Sequence, residues 1–378
     1  MPNQDLFQKL TDAFDFSQAQ VERLVQKHPD FFPMYTKGGR WKHGGEAWTN
    51  WCEGFLGGQM WIFHQRTGDL AWRDRAIHYS RLLLPRRTDR EVHDLGFLFW
   101  STYKRWYDLT GDPEIEQVIL TAGGTISLRY KEKGRYLRSF VSDDSLFIDI
   151  MMNVGIVFYT ALRIHDPRLL EIATQHCLTT RRTLVRGDGS TSHEGLFDLE
   201  TGEFLRQTTH QGWRGDSAWA RGQAWALYGF CTAYELSGDW RFLETSRLCA
   251  EFFLLNTDFS PSAPGGPGVP PNDWDDPRQP ALYESSAAAI ASSGLLNLSR
   301  VVQDPVYAAR YREAALTILD TLCGPQYLAQ GDPHWEGILK HGIYHREKGA
   351  GVDESTAWGD YFFVEAVDKA MTLLKEAR

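Results

Sequence analysis

The chain is poor in cysteine. Five stand among 378 residues, Cys52, Cys177, Cys231, Cys249 and Cys323, an odd number with no CxxC pair. A disulfide framework is not expected; free thiols in a reducing, cytoplasmic setting are. No apolar run reaches the length needed to span a membrane. Residues 1–27 carry charges throughout and lack a basic stretch followed by an apolar one, so no secretory leader is expected. Positive charge is outnumbered, 40 Lys and Arg against 49 Asp and Glu, for a net charge of -9. That balance argues against wrapping nucleic acid or a long acidic glycan. A small anion held by a few local cations stays open. There is no phosphate-binding glycine motif and no nucleophile elbow, and no cofactor is expected.

What the chain does hold is ordinary globular chemistry, 42% hydrophobic and 24% charged, with 14 Trp. So many indoles suit either a dense core or a sugar site, where flat rings stack on pyranose faces. Length alone allows two or three domains or one large toroid. No linker interrupts the chain, so one domain over residues 1–378 is expected.

A recurring unit sets the architecture. An aromatic-rich stretch is followed by a turn with Asp beside Gly or Pro, then by an amphipathic stretch. The turns centre on Asp69, Asp112, Asp166, Asp239 and Asp304. Asp caps a following helix, and Pro113, Pro167 and Pro305 suit its first position. The upstream helix is apolar on most faces and should be buried; the downstream one carries charge on one face and should meet solvent. A sixth unit is assembled from both ends, with GDYFFVEAVDKAMTLLKEA inside and residues 4–27 outside. Six inner and six outer helices closing head to tail predict an all-α fold, an (α/α)6 barrel. An open solenoid would keep a tighter period than these units do. The Pro- and Gly-rich segment 260–280 is expected at one end of the inner ring, where a pocket would lie.

Three regions carry candidate chemistry. Asp149 lies in SLFIDIMMN, predicted to be a buried helix with Asp149 at its middle and Asn153 on the same face. A buried carboxylate must be paired, protonated or used, and a structural bond to a loop remains the plain alternative. Asp94, in HDLGFLFW, precedes an inner helix and could be a simple cap. Both acids head successive inner helices, so both are expected to face the barrel axis, where proximity would raise the pKa of one. The third region, THQGWRGDSAWARGQAW, holds His210, Gln211, Trp219, Arg221 and Trp225. Arg221 suits either a buried ion pair or a clamp on a ligand carboxylate. His193 has no second His or carboxylate at ligand spacing, so no metal is expected. Trp41, in GGRWKHGG, is placed in a flexible loop, where stacking on a sugar is plausible.

Taken together, TNWCEGFLGGQMW, HDLGFLF, IDIMMN, RRTLVRGDGSTSH, THQGWRGDSAWARGQAWALYGF, YESSAAAIASSGLL and WGDYFFVEA resemble the unsaturated glucuronyl hydrolases, glycoside hydrolase family 88. The resemblance runs from about residue 36 to 368. It implies removal of a 4,5-unsaturated uronic acid from lyase-made oligosaccharides by hydration of the C4=C5 vinyl ether. Asp149 would be the general acid and base, and Asp94 the second acid. His193, His210, Gln211, Trp219, Arg221 and Trp225 would line the uronate subsite, and Tyr344 and His345 match a late Tyr-His pair. Phe140 stands where members of the family typically carry a stacking Trp. Residues 341–351 lack the serine-and-lysine pattern of members that prefer sulfated glycans. The implied partner is a small oligosaccharide, and the implied assembly a monomer or homodimer.

Four rivals stay in view. Unsaturated rhamnogalacturonyl hydrolases share barrel and chemistry, but the His210-Gln211 and Arg221–Trp225 wording favours the glucuronyl group. A sugar 2-epimerase needs paired His bases on inner helices. An inverting glycosidase needs two carboxylates flanking a saturated bond. A non-catalytic glycan binder would not need Asp149 among hydrocarbon.

Overall fold

Five aspartates start five helices. In the computed structural model, which describes residues 2–44 and 50–376, the carboxylates of Asp69, Asp112, Asp166, Asp239 and Asp304 accept the N–H two residues on, at 2.8–3.0 Å. Pro113, Pro167 and Pro305 open their helices, where a missing N–H costs nothing. Gly45 of GGRWKHGG and Thr49 of TNWCEGFLGGQMW lie outside the described residues.

The helices alternate between two rings. Outer α1 (Pro2–Lys27) is followed by inner α2 (Gly54–Thr67) and outer α3 (Leu70–Leu82). The next inner helix is α4 (Leu95–Phe99) continued by α5 (Arg105–Thr110) through a π turn, Trp100–Lys104. Then come outer α6 (Pro113–Ser127), inner α7 (Gly155–Ile164), outer α8 (Pro167–Thr183), inner α9 (Ala220–Ser237) and outer α10 (Trp240–Asn256). Inner α11 (Ser285–Val301), outer α12 (Pro305–Leu322) and inner α13 (Ala357–Glu376) complete the set. α13 packs against both α11 and α2, which closes the inner ring, and α1 lies against α13 as the sixth outer helix. The predicted (α/α)6 barrel is the architecture found. The inner helices are buried along most of their length, as α11 shows from Ser285 to Leu296.

Side chains fill the axis. Trp225 meets Phe97 and Phe362 at ring separations of 5.1 and 5.4 Å, and Phe55 meets the same two at 5.4 and 5.7 Å. Further along, Glu365 of α13 accepts Arg105 of α5 at 2.6 Å, Ser293 of α11 at 2.5 Å, and Tyr228 of α9 and Lys369 at 3.0 Å. Burial would raise this carboxyl, but Lys369 and Arg105 outweigh it and bring it to about 2.

Four small antiparallel sheets decorate the barrel, none foreseen in the sequence. β1 (Thr36–Lys37) pairs with β2 (Arg40–Trp41), and β3 (Tyr130–Lys131) with β4 (Tyr136–Leu137). β5 (Ser145–Phe147), β6 (Glu194–Phe197) and β7 (Phe204–Thr208) make a three-stranded sheet, and β8 (Gly342–His345) pairs with β9 (Ala350–Glu354).

One junction decides where the candidate acids sit. Gly96 touches Asn153 so closely that an added Cβ would lie 2.5 Å from the Asn153 Cα. Asn153, fully buried, accepts the Phe97 N–H at 2.8 Å and donates to the Asp149 carbonyl at 3.1 Å. The segments bearing Asp94 and Asp149 are thereby tied through one amide. Gly96→Ala must push them apart, and overpacking of this kind costs about 1–3 kcal/mol. We expect a lower denaturation midpoint for Gly96→Ala; an unchanged midpoint would contradict the close contact.

Candidate active site

Strand register brings the first group together. Phe147 of β5 pairs with Glu194 of β6, and the Ile148 N–H donates to the His193 carbonyl at 2.9 Å. Asp149 follows at once, so it arrives beside His193. It does so in a 3-10 turn, Ile148–Met152, rather than at the middle of an α-helix. The correction has a simple cause: Ser145–Phe147 pair with β6, so α7 begins only at Gly155. Asn153 meets the Asp149 backbone, not its carboxylate.

The Asp149 side chain is 14% exposed, and its Oδ2 is buried with no hydrogen-bond partner. Burial raises its pKa to about 6, against an opposing pull from Arg221. The largest influence on that proton is burial, where the sequence led to an expectation of two coupled acids. His193 Nε2 lies 3.5 Å from Oδ2. Burial holds His193 far below its usual pKa, so the ring is neutral. Its Nδ1 accepts the N–H of His210 at 3.0 Å, which puts the ring proton on Nε2, towards Asp149.

Asp94 has the same kind of neighbour. Its position is that of the α4 cap, yet its carboxylate makes no capping bond. Instead Oδ1 lies 3.2 Å from His93 Nε2. His93 is also held neutral by burial, and its Nδ1 accepts the Phe140 N–H at 3.0 Å. Its proton is therefore on Nε2 as well. Each acid thus has a neutral imidazole nitrogen close by, although Asp149 Oδ2 and His193 Nε2 are both buried without a hydrogen-bond partner.

Both acids line one narrow cavity of about 30 Å³, with Trp51, His93, Phe140, Val141, Phe147, His210, Gln211 and Tyr344. Asp94, Phe140, Asp149, His210, Gln211 and Tyr344 are thus brought together as expected. The others stand behind or beside this wall. His193 is buried against Asp149 and packs on Trp219, ring to ring, at 4.8 Å. Arg221 does not reach the cavity. It is 1% exposed, lies 4.4 Å from the Trp219 ring and 5.0 Å from the Trp358 ring, and donates to the Ile343 carbonyl, the Gln211 side chain and, at 3.0 Å, the Tyr344 carbonyl. Burial lowers its pKa, while Glu284 and Asp149 oppose that. It sets Gln211 and β8 rather than clamping a ligand. Trp225 belongs to the axis filling described above.

His345 turns into an adjoining cleft, with Tyr35, Lys37, Lys42, Lys348 and Glu354; Tyr344 borders both spaces. Burial brings the His345 pKa down to about 4. Trp41 is a correction. It sits in β2, 5% exposed, with its backbone N–H on the Glu336 carboxylate at 2.8 Å and its indole N–H on the Glu336 carbonyl at 3.1 Å. It is core. Trp51, ten residues on, is the indole that lines the cavity. Segment 260–280 lies at an end of the inner ring as expected, with the Asn272 carbonyl on the Ala220 N–H at 3.0 Å, but it contributes nothing to this lining. Asp273 instead braces the Trp213 N–H at 2.9 Å and the Ser217 hydroxyl at 2.6 Å.

Sequence reasoning also passed over His93 and Glu194. The His-Asp dipeptide at 93–94 was a usable signal for the first; nothing local marks the second. A larger cavity of about 620 Å³ lies between α1 and residues 331–336. It holds neither acid, and Lys27 and Glu336 on its rim pair with each other at 2.5 Å. Among the described residues, no group of three or more His, Cys, Asp or Glu is placed to hold a metal ion.

The chain is similar to known proteins over most of its length. The profile of Glycosyl Hydrolase Family 88 matches residues 21–247. An unsaturated glucuronyl hydrolase of Bacillus sp. (strain GL1) is 31% identical, over 91% of this chain and 92% of that one. The crystal structure of an unsaturated glucuronyl hydrolase specific for heparin superposes with a TM-score of 0.88 at 27% identity, covering 97% of this chain and 98% of that one. A mutant of the Streptococcus agalactiae enzyme complexed with dGlcA-GalNAc6S superposes with a TM-score of 0.79 at 26% identity, covering 95% and 90%. A family profile across more than half the chain, and a relative aligned over nearly all of it, make this protein a glycoside hydrolase belonging to family 88.

Proposed function

We propose that the protein is an unsaturated glucuronyl hydrolase that removes the 4,5-unsaturated uronic acid from the non-reducing end of small oligosaccharides left by polysaccharide lyases. The observation that carries this reading is Asp149: a carboxyl brought to about 6 by burial, in one cavity with Asp94. Such a group is still a proton donor near neutral pH.

The unsaturated ring is a vinyl ether. Asp149 gives its proton to C4, the π electrons form the C4–H bond, and positive charge develops at C5 and the ring oxygen. The carboxylate left behind stabilises that charge. It then takes a proton from water as the water oxygen bonds to C5, which restores the acid. The resulting hemiketal opens to a C5 ketone, leaving C1 as a hemiacetal that releases the aglycone. His193 Nε2–H steadies the Asp149 carboxylate between the two proton transfers. Asp94, with His93 on its Oδ1, takes sugar hydroxyls. Gln211 and Tyr344 are held for the same sugar by Arg221. Three cavity groups, Trp51, Asp94 and Asp149, come just before inner helices α2, α4 and α7, whose N-terminal ends favour an anionic ligand. The next sugar would lie along the lysine-bearing cleft beyond Tyr344. We further propose that the toroid works in the cytoplasm, as a monomer or homodimer. Five buried free cysteines support the compartment.

The test is a lyase-made unsaturated disaccharide followed by ultraviolet absorbance of its double bond. The absorbance should fall with the wild-type protein. Release of sugar with the absorbance intact would instead mean ordinary hydrolysis. Asp149→Asn should lower kcat/KM by about 10²–10⁴-fold, the span for a lost general acid; retained turnover would overturn the assignment.

The pH profile follows from the same group. Asp149 must be protonated to act, and its pKa is raised to about 6. Activity should be retained below that value and fall as pH rises through it, roughly tenfold per unit once the carboxylate dominates. A rate that climbs across this window would exclude Asp149 as the proton donor.

A further inference from the structure

Glu194 is buried, 2% exposed, and belongs to neither acid pair. Its Oε1 accepts the Ser145 hydroxyl. That uses the one proton of Ser145, so Ser139 donates to Ser145, at 2.7 Å, while the Val141 N–H donates to Ser139 at 3.2 Å. Every donor in this chain points towards Glu194. Its Oε2 lies 3.2 Å from His210 Nε2. The two are close without being in line for a hydrogen bond, and because a carboxylate offers only lone pairs, its charge favours a ring proton on Nε2. Nδ1 remains as the ring's other polar atom, on a side chain 41% exposed that lines the cavity.

We infer that Glu194 is a positioning residue for substrate binding: it fixes His210 with Nε2–H turned inward and presents Nδ1 as a hydrogen-bond acceptor for a hydroxyl of the bound sugar. The inference rests on the proposed sugar substrate but not on the hydration step. Through Ser145 and Ser139, the same carboxylate fixes the Ser139–Val141 backbone, so His210 and the Phe140 wall are set by one group. The Glu194 side chain has no contact with Asp149, and His210 reaches it only through its backbone N–H on His193. Loss of Glu194 should therefore be felt in binding.

The experiment uses Glu194→Gln. A glutamine amide keeps the acceptor for Ser145 but turns an N–H towards His210, which drives the ring proton to Nδ1 and replaces the acceptor with a donor. Nitrogen-15 spectra, with His210 assigned by its loss in His210→Asn, should show Nε2 protonated in the wild type and Nδ1 protonated in the variant. KM for the unsaturated disaccharide should rise about tenfold with kcat within about twofold, the pattern of a lost uniform binding contact. Ser145→Ala removes one donor but keeps the carboxylate, and should leave the His210 tautomer unchanged. If Glu194→Gln does not fold, as judged by its melting curve, Glu194→Asp withdraws the carboxylate from His210 and should give a mixed tautomer with the same rise in KM. An unchanged tautomer and KM in the folded variant would overturn the inference, as would equal losses in kcat and kcat/KM. A wild-type protein inactive on unsaturated sugars would sink the proposed reaction, while the spectra would still decide the placement of His210.

Discussion

Two inner-ring segments approach as closely as backbone allows at Gly96 and Asn153, and the cavity exists because they do. With a hydrogen at Gly96 there is room for the Asn153 amide between the segments. Its oxygen takes one backbone N–H and its nitrogen one backbone carbonyl, which joins the start of α4 to the turn before α7. The positions of the two acids are then set by covalent and hydrogen-bonded geometry. Removal from water is the largest influence on the Asp149 proton.

A second economy lies in the histidines. His93 and His193 are both neutral because both are buried, and in each a backbone N–H occupies Nδ1. The tautomer follows without any charged partner. Each acid then has one imidazole nitrogen nearby, His193 Nε2 beside Asp149 and His93 Nε2 beside Asp94. Arg221 is close enough to pull on Asp149, yet its guanidinium is spent on carbonyls of β8 and on Gln211. A buried cation held this way braces the wall and leaves the acid weak.

The sequence made the barrel legible because each of five hairpins ends in an aspartate cap, and because the first and last segments had complementary faces. The candidate acid was legible for the same reason: a carboxylate amid Ile and Met has few structural uses. What escaped notice came from non-local pairing. Strands of two to five residues carry almost no periodic signal, so the pairing that turns the Asp149 segment into a 3-10 turn could not be seen. Trp41 and Trp51 stand in similar company along the chain. Glu336, some three hundred residues away, anchors the first in the core, and the packing of α2 on its neighbours leaves the second at the cavity. Glu194 is meaningful only beside Ser145 and His210, which chain order keeps apart.

The aromatic stack and the Glu365 cluster make the ring a cup instead of a tube. Rings from four inner helices meet across the axis, and beyond them one carboxylate gathers groups from α5, α9, α11 and α13. A polymer cannot thread such a vessel. Whatever reaches Asp149 must come in tip first and back out the way it came, so a protein of this shape trims ends one unit at a time and releases its grip between cuts.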